Sequence, residues 1–373
     1  MKRSAFIALS LGLAGFVALL SWQGAGLIAA TFVAAGWGLL AVSLYHLVPL
    51  LLDAAAMHVL ADRGTRFTAT LGARWAGESV NSLMPAGQMG GPVVMARMLA
   101  GRGEPAGDFP PRSPLRSPVP SLSQAGALVA VATTQQVLAQ ALFAILGVAL
   151  LSLRTGSGHL VLPLIAGISL FTLSGAFLYR LQRRGLFAKL GALGARIGIG
   201  AHAGAGSTWA RRAARLDAMV ESMYTQARAV RACFGLNLLG WLVGTGEVWL
   251  ALRFIGHPVS LVDALLLESL GQAIRGIAFA IPGALGVQEG GFLLLAPFVG
   301  LSPEAALALS LCKRTRELLL GLPGLGYWHW RERLRRRDAT GSASDDAMHD
   351  LEPRAVTVSH AVPGPAPRIV KSP

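Results

Sequence analysis

Charged residues are scarce in this chain of 373 residues: Asp, Glu, Lys and Arg make up 14%, against 53% for hydrophobic residues. Soluble globular domains carry about 25% charged residues, so this scarcity excludes an ordinary soluble protein. Several apolar runs are long enough to cross a bilayer, which takes about 20 residues per helix. The composition therefore predicts an all-α polytopic membrane protein.

Cysteine is almost absent. Cys233 and Cys312 both fall within apolar runs, with no histidine at ligand spacing, so we expect neither a structural disulfide nor a metal site. The sequence also lacks a Gly-rich phosphate loop, a nucleophile elbow and a zinc motif. We therefore expect no cofactor, no catalytic residue and no enzymatic activity. His46 and His58, which flank the end of an apolar helix, are expected to be interfacial.

Acidic residues are also few, with 19 Asp and Glu against 33 Lys and Arg and a net charge of +14. The basic excess lies in loops and tails beside apolar segments, which is typical of cytoplasmic loops and of contact with anionic headgroups. No aromatic-basic surface motif accompanies it, so nucleic acid is not an expected partner. We expect a multi-pass protein of the bacterial inner membrane, with both termini in the cytoplasm and membrane lipids as partners.

The chain is organised as one membrane domain, residues 1–330, followed by a cytoplasmic tail, 331–373, that is predicted to be disordered. The Pro/Ser/Arg-rich stretch 101–123 is predicted to be a flexible loop. Residues 181–231 form a basic cytoplasmic segment whose second half is expected to be an amphipathic helix at the membrane surface. The run 5–21 is interpreted as the first helix, with a cleaved signal peptide as the alternative.

Two Pro/Gly-rich stretches interrupt the apolar pattern, and they resemble each other. "ESVNSLMPAGQMGGPVVMA" (78–96) and "RGIAFAIPGALGVQEGGFLLL" (275–295) each pass through a Pro-small turn into a Gly-Gly pair. The loop charges require 75–99 to enter and leave from the cytoplasm, and 260–300 from the opposite side. Both are therefore predicted to be re-entrant helical hairpins. The alternative is an ordinary loop between two complete helices.

The hairpins divide the membrane domain into two halves, 1–153 and 160–330. Each half crosses the membrane three times, and an odd number of crossings inverts the second half relative to the first. We thus predict about six spanning helices plus two re-entrant hairpins in an inverted-topology repeat, an architecture of many secondary transporters. Broken backbone at membrane depth must be buried in protein or line a wet cavity.

Polar residues in and near the hairpins are the candidates for a substrate site. A charge at the bilayer centre costs at least ~2.5–3.5 kcal/mol, so each one needs a reason. Guanidinium groups bind phosphate bidentately, which favours a lipid headgroup as the ligand of the arginines. The predicted substrate-binding residues are Glu78, Asn81, Pro85, Gly87, Gly90, Gly91, Arg97, Glu268, Gln272, Arg275, Pro282, Gly286, Glu289, Gly290, Arg314 and Arg316.

Two questions about these charges stay open at the level of sequence. Glu78 and Glu289 either orient the arginines or carry a coupling proton. The alternative to a headgroup site is internal pairing, with Glu268–Arg275 and Lys313–Glu317 as structural ion pairs. The hairpins are expected to offer more basic groups than such internal pairing needs.

The stretches "GESVNSLMPAGQMGGPVVMARML", "IPGALGVQEGGFLLL" and "KRTRELLLGLPGL" resemble the flippase-like membrane domain of lysylphosphatidylglycerol synthases. Within that superfamily the chain looks most like the stand-alone branch associated with hopanoid biosynthesis. The resemblance covers about residues 1–330 and implies a protein that moves or handles lipids, with the hairpins forming the lipid-binding cavity. Aminoacyl-transferring members carry a separate soluble catalytic domain, and the polar segment 331–373 is too short for one, so lysyl transfer is not expected.

The first functional hypothesis is a lipid transporter of the flippase kind, linked to hopanoid or anionic phospholipid metabolism. One alternative is a membrane-embedded lipid-modifying enzyme that uses Glu78 or Glu289 as a general base. The other is an accessory protein that does not transport but docks lipid-biosynthesis enzymes on the basic surface 181–231.

Overall fold

The structure, a computed structural model, describes residues 33, 35–84, 90–100, 121–156, 161–189, 205–277, 281 and 284–351. Every regular element in these ranges is helical, which confirms the predicted all-α class. The predicted helix 5–21, nearly all of the loop 101–123, and the turn residues Pro85, Gly87 and Pro282 lie outside the described residues.

The helices follow one another with short connections. They are α1 (Gly38–Tyr45), α2 (Leu47–His58), α3 (Phe67–Leu83), α4 (Gly90–Leu99), α5 (Leu122–Thr155), α6 (Val161–Arg183), α7 (Ala205–Thr225), α8 (Ala227–Phe254), α9 (Leu261–Ile277), α10 (Val287–Leu295) and α11 (Pro303–Leu351), with a 3-10 helix at Ala296–Val299.

Three helical stretches of the described chain are long and apolar enough to cross a membrane. They are Gly38–His58 (α1 with α2), Leu122–Thr155 (α5) and Ala227–Phe254 (α8). α5 begins with a capping box, in which the Ser121 hydroxyl accepts from Gln124 N and the Gln124 side chain accepts from Ser121 N. The larger total of about six spanning helices stays a prediction.

The chain divides into two compact units, Met1–His329 and Trp330–Pro373. In the second unit, residues 330–351 are helical and belong to α11. The sequence predicted disorder from 331 onward, but "RERLRRRDA" is rich in Arg, Glu, Leu and Ala, which all favour helix. Helix therefore continues as far as Leu351 in a segment for which charge alone suggested a disordered tail.

Within the first unit, α5 and α8 are the central helices. α5 packs against α4, α6, α7, α8 and α9, and α8 packs against α1, α2, α5 and α9. One apolar core joins α8, α9, α10 and α11 through residues such as Leu252, Leu267, Phe292 and Leu309. A second core joins α2, α3, α4, α5, α7 and α8.

α3 and α4 form an antiparallel hairpin with a close backbone contact. A Cβ placed on Gly91 would lie 2.5 Å from the carbonyl oxygen of Gly77, and one on Gly77 would lie 2.5 Å from Cγ of Met95. Glycine at both positions lets the two helices approach without side chains between them. α3 starts at Phe67, eight residues before the predicted start of the hairpin at 75, because "FTATLGAR" continues the helix on its N-terminal side.

α9 and α10 form the second antiparallel hairpin in the same way. A Cβ on Gly291 would lie 2.9 Å from Cδ1 of Ile274, and one on Gly271 would lie 3.1 Å from Cε1 of Phe292. The first helix of each hairpin has 17 residues. The two segments matched by sequence are therefore built alike, although whether they re-enter from opposite sides stays a prediction.

Each hairpin also packs against the last helix of the other half of the chain. A Cβ on Gly324 of α11 would lie 2.0 Å from Oγ of Ser79 in α3. A Cβ on Gly147 of α5 would lie 2.1 Å from Oγ of Ser269 in α9. The same Ser-on-Gly contact thus occurs twice, once for each hairpin, and it follows Glu78 and Glu268 by one residue.

Candidate substrate cavity

A polar cavity of about 190 Å³ lies between the two hairpins and the helices packed on them. Side chains from α2, α3, α4, α5, α8, α9 and α11 line it, together with His46 at the junction of α1 and α2. Its charged lining consists of Asp53, Arg74, Glu78, Glu247, Glu268, Arg275, Lys313 and Arg316, with His46 beside them. These charges are held by specific partners, which are described in turn below.

His46 lies between two carboxylates. Its Nδ1 atom is 2.7 Å from Oε2 of Glu247 in α8, and its Nε2 atom is 2.8 Å from Oε1 of Glu78 in α3. The guanidinium of Arg316 contacts the same imidazole, with Nη1 2.7 Å from Nε2. One side chain at a helix junction therefore ties together α3, α8 and α11.

Lys313 is the buried cation on the other side of Glu247. Its Nζ atom donates to Oε2 of Glu268 at 2.7 Å and lies 3.9 Å from Oε1 of Glu247. The Gln272 amide donates to the other oxygen of Glu268 at 2.8 Å, and Gln140 of α5 donates to the Gln272 carbonyl at 3.1 Å. Both Glu268 oxygens thus have donors, as a buried carboxylate requires.

Glu317 gathers the arginines. Nη1 of Arg275 donates to its Oε1 atom at 2.6 Å, and Nη1 of Arg314 donates to its Oε2 atom at 2.8 Å. Nη2 of Arg316 lies 3.6 Å from Oε1. Arg275 also donates to the Gln288 amide oxygen at 3.1 Å, which fastens α9 to α10.

Glu289 holds the start of α10. Its Oε2 atom accepts from Gly286 N at 2.7 Å, and its Oε1 atom accepts from Nε of Arg314 at 3.1 Å. Gly286 has a φ of 78°, in the left-handed region that favours glycine. Glu289 is fully buried, so its carboxylate acts as an anchor between the hairpin and α11.

Together these residues form one connected set, which we call the buried ion network. Its members are Glu78, Glu247, Glu268, Glu289, Glu317, Arg275, Lys313, Arg314, Arg316 and His46. A separate pair lies at the other end of the cavity, where Nη2 of Arg74 donates to Oδ2 of Asp53 at 2.7 Å and Nη1 donates to Gln136 at 3.0 Å.

Comparison with known proteins places this arrangement. A family model described as "Lysylphosphatidylglycerol synthase TM region" matches residues 6–324. The chain belongs to this family. No curated protein and no solved structure matches the chain. Membership in the lysylphosphatidylglycerol synthase membrane-region family links the protein to the membrane and to lipid metabolism, and the match spans the cavity and the whole buried ion network.

In this family member, the predicted site residues fall into distinct groups. Six line the cavity: Glu78, Asn81, Glu268, Gln272, Arg275 and Arg316. Two belong to the network behind it, Glu289 and Arg314. Gly90, Gly91, Gly286 and Gly290 lie in the hairpin backbone, and the Asn81 side chain also serves that backbone, since its Oδ1 accepts from Gly91 N at 2.8 Å.

Arg97 stands apart from the other predicted residues. Its side chain is exposed, and it is not among the residues that line the cavity. Position 97 lies one helical turn beyond Val93, which is also exposed, so this face of α4 points away from α3 and α5. Arg97 is therefore not brought together with Arg275, Arg314 and Arg316.

The pairing of charges differs from the local pairs considered from sequence. Lys313 binds Glu268 rather than Glu317, and Arg275 binds Glu317 rather than Glu268. The expected surplus of basic groups is also absent from the described network, in which Arg275, Arg314 and Arg316 each contact a carboxylate. Pairing between helices replaced pairing along one helix because α9 and α11 face each other across the cavity wall.

Sequence reasoning missed several cavity residues. His46 was expected at the membrane interface, and Asp53 and Arg74 were placed at the polar loop 53–74. In the structure all three line the cavity. A usable signal was present for Arg74: it precedes Glu78 by four residues, so the two share one face of α3. No local pattern marks His46, whose partners are 32 and 201 residues away.

Proposed function

We propose that the protein is a lipid transporter of the flippase kind, which passes the polar headgroup of a membrane lipid through the cavity between its hairpins. The observation that carries the proposal is a polar, charged cavity enclosed by long apolar helices. Buried charges inside a membrane protein are expensive and mark ion or substrate pathways. The family membership, which links the chain to lipid metabolism, supports the same role.

The topology we propose is the inverted repeat of two halves, 1–153 and 160–330, with about six spanning helices and termini in the cytoplasm of a bacterial inner membrane. Two features support it. The basic loops would all face the cytoplasm. The Ser79–Gly324 and Ser269–Gly147 contacts also repeat the same packing device in both halves. A cavity at the interface of inverted repeats is the usual place for a transported substrate.

The acyl chains would remain in the lipid while the headgroup moves. Leucines on the outer faces of α8 and α11 are exposed and offer apolar surface beside the cavity wall, namely Leu239, Leu242, Leu318, Leu319 and Leu322. Phosphate binds arginine with the same fork geometry as carboxylate. A phosphate headgroup can therefore exchange with a glutamate at Arg316. We propose an anionic phospholipid, or a hopanoid lipid with an anionic headgroup, as the cargo.

Transport in reconstituted vesicles tests this proposal. Vesicles containing the purified protein and a fluorescent phosphatidylglycerol are treated with an impermeant quencher, and the share of label that becomes quenched is followed in time. The proposal predicts that label in the inner leaflet reaches the outer leaflet with the protein and not in empty vesicles. Arg316→Ala should slow this movement strongly. Arg228→Ala, which changes an exposed arginine outside the cavity, should not.

One observation favours an enzyme as the second candidate. A histidine held between two carboxylates in a cavity is suited to abstracting or donating a proton. In that case the protein would modify the lipid rather than move it. Mass spectrometry of lipids recovered from the same vesicles distinguishes the two, because transport leaves the lipid mass unchanged. If the lipid is neither moved nor modified, the accessory role on the basic segment 181–231 would account for the protein's link to lipid metabolism.

A further inference from the structure

The buried ion network has a definite charge balance. It contains five glutamates and four Lys or Arg side chains, so it is neutral only when His46 carries a proton. The neighbouring Asp53–Arg74 pair is neutral by itself. The turn segments 85–89 and 278–283 contain no ionisable residue, so they do not alter this balance.

A neutral network has a consequence for any anionic ligand. A phosphodiester that entered would leave one uncompensated negative charge in a desolvated site, and an unpaired buried charge is strongly destabilising. The arginines offer no spare positive charge, because Arg275, Arg314 and Arg316 already contact carboxylates. An anionic headgroup therefore needs a proton to accompany it.

Glu78 is the carboxylate best placed to take that proton. Its side chain is 28% exposed, whereas those of the other four network glutamates are 6% exposed or less. It lines the cavity, and its close partner is His46 alone, with Arg316 more distant at 3.7 Å. Glu289, the other candidate from sequence, is fully buried and holds Gly286 and Arg314.

The surroundings of Glu78 contain charges from several helices. The charged and titratable groups that face it are His46 at the α1–α2 junction, Asp53 of α2, Arg74 of its own helix α3, Glu247 of α8, and Arg316 and Glu317 of α11. α4 and α5 line the cavity with residues that do not titrate. Protonation of Glu78 would leave Nε2 of His46 and Nη1 of Arg316 without their nearest carboxylate on the cavity side.

We propose that the cavity binds an anionic headgroup together with one proton, which Glu78 takes from water. The Glu78 carboxylate becomes a neutral carboxylic acid, the phosphate takes its place beside His46 and Arg316, and the site as a whole stays neutral. On release, the phosphate leaves, Glu78 returns its proton to water and the contact with His46 forms again. This inference rests on the proposed transport function, and it makes transport a joint movement of lipid and proton.

Binding-linked proton uptake tests the coupling without relying on transport. Short-chain dioctanoyl phosphatidylglycerol is added to the detergent-purified protein in weak buffer, and a pH indicator reports protons taken up while calorimetry reports bound lipid. We expect one proton per bound lipid and an affinity that falls about tenfold per pH unit as pH rises. Binding with no proton uptake, or no binding between pH 5 and pH 8, overturns the inference.

Glu78→Gln is the matched variant, since the amide imitates the protonated acid. It should bind the short-chain lipid with no proton uptake and with an affinity independent of pH. Glu221→Gln, an exposed glutamate of α7 outside the cavity, should behave as the wild type. If Glu78→Gln takes up a proton like the wild type, Glu78 is not the acceptor and the inference fails. If Glu78→Gln does not fold, the wild-type measurement alone decides.

The two proposals fail in different ways. Vesicle transport that is present but equally fast at every pH, and that an imposed pH gradient does not drive, contradicts the coupling and leaves transport standing. Proton-linked binding in a protein that moves no lipid contradicts transport and leaves the coupled site standing.

Discussion

Nδ1 of His46 lies 2.7 Å from Oε2 of Glu247, across 201 residues of sequence. This contact joins the junction of α1 and α2 to the centre of α8, a helix of the other half of the chain. The same imidazole reaches Glu78 on its other nitrogen. His46 is therefore the point at which both halves of the chain share one set of charges.

Loss of Lys313 should strongly destabilise the protein. The Lys313 ammonium is buried against Glu268, and removal of one partner from a buried ion pair costs about 3–5 kcal/mol. Lys313→Met should therefore lower the midpoint of thermal unfolding in detergent. The double variant Lys313→Met with Glu268→Leu should recover part of the loss, because no unpaired carboxylate remains between α9 and α11. Equal stability of the single and double variants would contradict this pairing.

A methyl group at Gly91 should open the first hairpin. The added Cβ would lie 2.5 Å from the backbone carbonyl oxygen of Gly77, which cannot move away as a flexible side chain would. Gly91→Ala should lower thermal stability by about 1–3 kcal/mol, the usual cost of overpacking. Gly326→Ala is the control, because a Cβ there meets nothing within 4 Å. Its stability should be unchanged or slightly raised, since alanine favours helix.

The Ser-on-Gly contact of the second hairpin should show compensation. Gly147→Ala places a Cβ 2.1 Å from Oγ of Ser269, so the variant should lose stability. Ser269→Gly removes the obstructing hydroxymethyl group and should restore part of the stability of Gly147→Ala. A double-mutant cycle on thermal unfolding measures the coupling. Additive effects of the two changes would show that the helices do not meet at these residues.

Cysteine labelling should reveal the inverted topology. Asp62→Cys and His257→Cys both place a thiol in exposed connections, whereas the native Cys233 and Cys312 are buried. The proposed topology puts residue 62 in the cytoplasm and residue 257 on the opposite side. An impermeant thiol reagent added to intact cells should label only the variant at 257. Labelling of both variants from the same side would refute the inverted repeat.

The hairpins were predictable because their signals are local. Gly-Gly pairs at 90–91 and 290–291 mark close helix approach within a few residues of the turn. The partner of Lys313 was not predictable by the same reasoning, since helical spacing pairs it with Glu317 on its own helix. The actual partner, Glu268, is set by how α9 and α11 are rotated toward each other. Periodicity within one helix carries no information about that rotation.

The place of His46 shows a second limit. A lone histidine near the end of an apolar run is most often interfacial, and residues 27–52 were read as one uninterrupted helix. The structure separates α1 from α2 at His46 and turns its ring toward Glu78 and Glu247. The charged residues that required partners were visible in the sequence, but the neutralising group was a residue that no charge pattern singles out.

The central claim, that the cavity is the path of the lipid headgroup, is tested most directly by blocking the cavity. Thr133→Cys places a thiol in the cavity lining of α5. Transport of fluorescent phosphatidylglycerol is then measured before and after modification with a bulky methanethiosulfonate, and again after reduction of the adduct. The account predicts that modification stops transport, that reduction restores it, and that modified Asp62→Cys transports normally. Unchanged transport by Thr133→Cys that mass spectrometry shows to be fully modified would contradict it.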